Sequence, residues 1–179
     1  AFIDASPSPH HAAAEAMRRF AAAGFTELDE RAGWTLSPGD RRWVRRGATI
    51  LAFVVGSDHP ARAGFRMIGA HTDSPNLRAK PIAGKVQKGY AQIGVEVYGS
   101  PLLGTWLDRD LSLAGQVTLA RGPGRVESRL VDLRRPLARV ANLAIHLNRG
   151  VNKDGLVLNE QKHLVPMIGL GDDADLAKI

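Results

Sequence analysis

The sequence predicts an α/β opening over residues 1–82 joined to a β-rich part over residues 83–179, and three observations carry that expectation. Apolar residues recur at helical spacing near the N-terminus. A short continuous apolar run, Phe65 to Ala70, has the length of a buried strand. From Gly84 onward, glycines punctuate short strand-like runs, the texture of an antiparallel β module.

Each element has its own signal. Ser8 is a good N-cap, Pro9 suits the first helical position and Gly24 the stop, so a helix is expected between them. Ala13, Ala16, Met17, Phe20 and Ala21 share one face of it, and Phe25 can fold back onto that face. His10 and His11 fall in the first turn and are expected to be solvated. Trp43 to Arg45 and Thr49 to Val55 flank Gly47 as a hairpin, and Ser57 to Gly64 reads as a loop. Pro75 and Pro81 are expected to break regular structure. Ala91 to Tyr98, Gln116 to Ala120 and Arg125 to Leu133 are the expected strands of the β-rich part, and Val140 to Leu147 is a further apolar run. A helical pattern begins at Asp172 and stops at Ile179.

Composition narrows the function classes. With 179 residues, 44% hydrophobic and 23% charged, the chain has the make-up of a globular protein with a buried core. There is no cysteine, which excludes a disulfide scaffold, a thiolate zinc finger and a cysteine nucleophile. That absence fits a cytoplasmic home. No apolar run approaches the roughly 20 residues of a membrane span, and the N-terminus lacks a secretory pattern. The chain begins at Ala1 without Met, as expected of a processed or trimmed product. The net charge of +6 comes from 18 Arg and six Lys against 18 acids. The arginines are scattered, with few aromatics among them, so no nucleic-acid partner is expected.

The sharpest chemical feature is His71 with Asp73, at the end of the expected buried strand. Residues at i and i+2 of an extended chain share a face. A neutral imidazole can bind a metal through one nitrogen while a carboxylate orients the ring through the other. His-x-Asp alone is a common pair, and without further context a structural hydrogen bond at a strand end is the favoured reading.

The surrounding sequence resembles the aspartyl aminopeptidase family of dinuclear zinc exopeptidases. The resemblance rests on Ile68 to Pro75 followed by Leu77 to Pro81, then Gly94 to Gly99 and Thr105 to Gly115. It continues through Asn142 to Arg149 and Leu158 to Pro166, and the opening Phe2 to Pro9 also matches. It therefore covers nearly the whole chain, in order. It implies the start of a zinc-exopeptidase-like catalytic α/β domain followed by a β-rich dimerisation domain, the chain being truncated. By the family pattern His71 corresponds to a zinc ligand and Asp73 to the carboxylate that orients it. His163 corresponds to a histidine that reaches substrate in a neighbouring subunit. Asp108 and Asp110 match no metal ligand and are expected to be structural, pairing with Arg or with backbone N–H groups. His59 and His146 have the same structural reading.

The family's bridging Asp, its Glu-Glu pair, a further Asp ligand and a late His ligand belong to a C-terminal half. Residues 164–179 contain no Glu and only Asp172, Asp173 and Asp175. A catalytic zinc takes about three protein ligands plus water. The expectation is thus the N-terminal portion of a two-zinc aminopeptidase, inactive alone, whose parent removes acidic N-terminal residues from peptides and assembles as a homo-oligomer. A non-catalytic dimerisation or assembly module is the alternative.

Overall fold

The computed structural model describes residues 1–175. It divides into two compact units: Ala1–Asp73 with Ala114–Asp132, and Ser74–Leu113 with the chain from Leu133 onward.

The first unit begins with helix α1 (Pro9–Ala22). Ser8, extended at φ −144°, accepts the His11 backbone N–H through its side chain, as an N-cap should. Its hydroxyl also meets His11 Nδ1 at 2.7 Å, so His11 belongs to the cap instead of facing solvent alone. Ala12 and Ala13 are the buried residues of the helix, which packs on strands β2 (Arg41–Arg46), β3 (Thr49–Val54) and β6 (Ala114–Ala120). Phe25 folds back as expected, with its ring 5.1 Å from that of Phe20. Strand β1 (Thr26–Glu27) pairs parallel to β2, and β2 and β3 form the expected antiparallel hairpin. Gly47 turns that hairpin at φ 58°, a sign of φ that most side chains resist. Strand β7 (Val126–Asp132) pairs antiparallel with β6 as a two-stranded ribbon. A single turn, α2 (Pro60–Ala63), is capped by His59, whose Nδ1 accepts the Ala61 N–H at 3.2 Å.

The second unit is built on strand β5 (Tyr90–Tyr98), which lies between β4 (Asn76–Gln87) and β8 (Met167–Leu170), antiparallel to both. Its alternating pattern buries Ala91, Ile93 and Val95, and with Ala83 the last two form a core that Leu77 and Ile168 complete. Lys88 and Gly89 both have positive φ, the geometry of a tight hairpin whose twist matches the strands. Two single-turn helices follow, α3 (Val151–Asp154) and α4 (Glu160–His163). Leu164, directly after α4, is fully buried.

Several expectations differ from the structure. Phe65 to Ala70 is not a buried strand: it has no regular structure, and Phe65, Met67 and Ile68 are almost fully exposed. An apolar run becomes a buried strand only where neighbours pair and cover it, and no strand among the described residues does so. Pro81 does not end its strand but lies inside β4. The strand tolerates it because β4 is a sheet edge and its register shifts between Ala79 and Gly84. The glycine-marked change of texture near residue 83 also falls inside β4, while β6 and β7 belong with the first unit. Val140 to Leu147 forms no strand; Val140 makes a bridge to Leu107, and Ile145–Leu147 is a 3₁₀ turn. Residues 171–175 are not helical, and the rest of the helical pattern expected from Asp172 lies outside the described residues.

Two outcomes test this packing. Glu15 receives hydrogen bonds from Arg18 and Arg19, each at 2.7 Å, and these lower its carboxyl from 4.5 to about 2. Its folded value is depressed, so its contribution to helix α1 is complete above pH 4.5 and is lost as pH falls through about 2. A carbon-detected NMR titration should place the Glu15 midpoint near 2, and a midpoint at the ordinary carboxylate value would refute the pairing. Leu164→Ala should lower the unfolding free energy by about 2–5 kcal/mol in chemical denaturation, because a fully buried leucine leaves a cavity.

Candidate functional site

The segment that carries His71 and Asp73 is irregular backbone, held to the first sheet by Thr72, whose hydroxyl donates to the Ala48 carbonyl at 3.1 Å. That carbonyl belongs to the β2–β3 turn, so the hairpin positions the pair. His71 Nδ1 lies 2.7 Å from the main-chain oxygen of Asp73 and 3.4 Å from its Oδ1. A carbonyl can only accept, so Nδ1 carries the proton and Nε2 keeps its lone pair. The sequence reading gave the orienting role to the Asp73 carboxylate; the shorter contact is to its backbone. The His71 side chain is 79% exposed, which leaves Nε2 open to a ligand from outside.

His163 ends α4 in the second unit. Asn159 caps that turn, its side chain accepting the backbone N–H groups of Gln161 and Lys162. The Asn159 backbone N–H donates to His163 Nδ1 at 3.0 Å, and the His163 N–H donates back to the Asn159 carbonyl at 2.9 Å. Here Nδ1 is the acceptor, so the proton sits on Nε2. The two histidines therefore expose opposite chemistry: His71 offers a lone pair, His163 a donor.

Behind His163, Gln161 joins α4 to the sheet. Lys80 of β4 donates to Gln161 Oε1 at 3.0 Å, and Gln161 Nε2 donates to Glu96 of β5 at 2.8 Å. Lys80 and Glu96 close the ring at 2.9 Å. The hydrogen bond from Lys80, and then that from Gln161, hold the Glu96 carboxyl below the usual carboxylate range. Sequence reasoning missed Lys80, Glu96, Asn159 and Gln161. The Asn159 cap was detectable, since Asn before an acid-led turn is an N-terminus signal.

Asp108 and Asp110 make contacts of the kind expected of them, one to a backbone N–H and one to an arginine. Asp108 Oδ1 accepts the Asn142 backbone N–H at 3.2 Å, and Asp110 pairs with Arg139 at 3.2 Å. With Trp106, Arg109 and Leu111 they line an open cleft of about 450 Å³.

Zinc is the metal that the resemblance implies. The donor set around His71 fits one of its ligands, a neutral imidazole with a fixed tautomer. Among the described residues no three His, Asp or Glu side chains come together to hold a metal ion. No helix among them is long and apolar enough to cross a membrane.

Comparison with known proteins fits these features. Residues 2–178 match the family model described as aminopeptidase I zinc metalloprotease (M18). A probable M18 family aminopeptidase 2 from Pseudomonas savastanoi pv. phaseolicola is 51% identical over 168 residues, which cover 93% of this chain and 39% of the relative. A chain in the cryo-EM structure of the Ape4 and Nbr1 complex superposes with a TM-score of 0.88 at 42% identity, over 99% of this chain and 34% of that one. The S. cerevisiae mApe1 dodecamer gives a TM-score of 0.70 at 25% identity, over 96% and 47%. The chain thus spans about two fifths of the length of the curated relative it matches. From the helix cap to the last strand, the match runs through every element described above, and the chain belongs to the M18 family of aminopeptidase I zinc metalloproteases.

Proposed function

We propose that this chain is the N-terminal portion of a cytoplasmic two-zinc aminopeptidase that removes acidic N-terminal residues, and that it is inactive by itself. The observation that carries the reading is the His71–Asp73 arrangement, an exposed imidazole with Nδ1 tied down and Nε2 free. His71 would hold one zinc ion, and Asp73 would fix its tautomer. The chemistry that zinc supplies, when bound, is polarisation of the scissile carbonyl and activation of a water. His163, with a proton held on Nε2, suits a substrate oxygen in the site of a neighbouring subunit. One imidazole and one carboxylate do not hold zinc tightly, and the other ligands and the general base would come from a further part of the protein.

Assembly is a compatible second role. The β6–β7 ribbon and strand β3 leave sheet edges unpaired among the described residues, and such edges invite pairing. A relative of this chain, mApe1, is a dodecamer. The reading assigns homo-oligomerisation to the β-rich part from residue 83 onward.

Both roles are open to test. The chain should show no hydrolysis of aspartyl or glutamyl anilides with added zinc. Fused to the remaining part of the Pseudomonas savastanoi relative, it should hydrolyse them and lose activity to a chelator. In that fusion Asp73→Asn, which keeps the main-chain acceptor of His71 Nδ1 and removes only the charge 3.4 Å away, should cost no more than about 10-fold in metal affinity or activity, the low end for a residue that orients a ligand. His71→Ala should cost more. Full activity in the His71→Ala fusion would reject the reading. Light scattering of the metal-free chain should give more than one copy per particle, and a strict monomer at high concentration would reject the assembly role.

A further inference from the structure

Gly84 stands at the end of the register shift in β4, directly opposite Ile93 of β5. Opposite residues of an antiparallel pair share a face, so Gly84 lies on the face where Ile93 and Val95 are buried. Its φ is not positive, so the backbone conformation there does not call for glycine. Space does. A Cβ at residue 84 would overlap the carbonyl oxygen of Ala174 and come within 3.2 Å of its carbonyl carbon. Among the described glycines none other lies so near the main chain of another segment; the next is Gly99, whose added Cβ would stand 3.0 Å from Pro75 Cα. A glycine inside a strand often marks such a close backbone approach.

Ala174 belongs to the segment that follows β8. The Gly171 N–H donates to the Gly89 carbonyl at 2.9 Å and anchors the start of that segment at the β4–β5 turn. Asp173 Oδ1 accepts the Asp175 N–H at 3.0 Å, which folds the segment locally around Ala174. Ala174 is half-buried, while Gly171, Asp172, Asp173 and Asp175 are exposed. The segment therefore passes from the hairpin turn to Gly84 with one residue turned inward.

We propose that Gly84 is a notch that seats Gly171–Asp175 as a strap on the core face of the β4–β5–β8 sheet, and that this strap lifts while the sheet stays folded. The sheet is held by two ladders of backbone hydrogen bonds, the strap by one anchor and one close fit. Segments with so few bonds open locally at a small fraction of the global unfolding free energy. The device is independent of metal and of substrate.

The test uses the chain as it stands. Its NMR spectrum should show nuclear Overhauser contacts between the Gly84 Hα protons and the Ala174 methyl, and their absence would overturn the proposal. An endoprotease that cuts before aspartate should attack Asp172, Asp173 and Asp175 about 10-fold faster in Gly84→Ala than in the native chain, with the rates at Asp108 and Asp110 unchanged. The Ile93 and Val95 amides should keep their protection from hydrogen exchange in that variant. Gly169→Ala is the control, because a Cβ added there meets nothing within 4 Å, and it should leave all the rates as they are. Unchanged cleavage in Gly84→Ala, or equal acceleration in Gly169→Ala, would overturn the notch. Loss of protection at Ile93 and Val95 would overturn it too, since Gly84 would then support the sheet and not the strap.

Discussion

Ile93 and Val95 turn inward from a strand that is hydrogen-bonded along both edges, and the second unit is organised around that strand. Strand β5 receives β4 on one side and β8 on the other. The Ile93 N–H reaches the Pro166 carbonyl at 2.9 Å and fixes the chain just after α4. Leu164 is buried beside this anchor, so the turn that carries His163 is set from both ends. If Ile93 or Val95 lost its place, the damage would spread outward to the exposed histidine. The first unit has a different base: helix α1 lies on the β2–β3 hairpin, and the turn of that hairpin holds Thr72 between His71 and Asp73.

These frames leave much apolar surface in the open. Fully burying Phe65, Met67 or Ile68 would contribute about 1.5–3 kcal/mol each, yet nothing among the described residues covers them. They directly precede His71. The chemically interesting histidine is therefore joined to an exposed apolar stretch. Its position is supported by the side-chain tether at Thr72 and by the contact of its ring with Asp73.

Local chemistry was legible in the sequence where one residue type has one strong reason to be where it is. Ser8 and Pro9 marked the start of α1, Gly47 marked its hairpin, and the glycines on either side marked the run that forms β5. The i, i+2 spacing brought His71 and Asp73 together, although on irregular backbone instead of a strand end. The family resemblance pointed to His163, but nothing local revealed the Lys80–Glu96–Gln161 ring, whose members lie up to 81 positions apart. Long-range pairing also explains the strand misread at Phe65 to Ala70, because burial depends on neighbours that periodicity does not show. Pro81 was misread for the opposite reason: a rule that holds inside a sheet relaxes at its edge.

The bulged edge of β4 has a consequence for how this chain behaves among copies of itself. Pro81 offers no N–H to a passing strand, and the register shift beside it bends the row of open backbone groups. Arg78, Lys80, Lys85 and Lys88 put positive charge along the same strand and its turn. An approaching β4 would bring the same charges and the same gap, so two copies meet as mismatched templates. The edge nearest the Lys80–Glu96–Gln161 ring is thereby guarded against open-ended fibre growth, and the chain can keep other edges available for pairing without polymerising through this one.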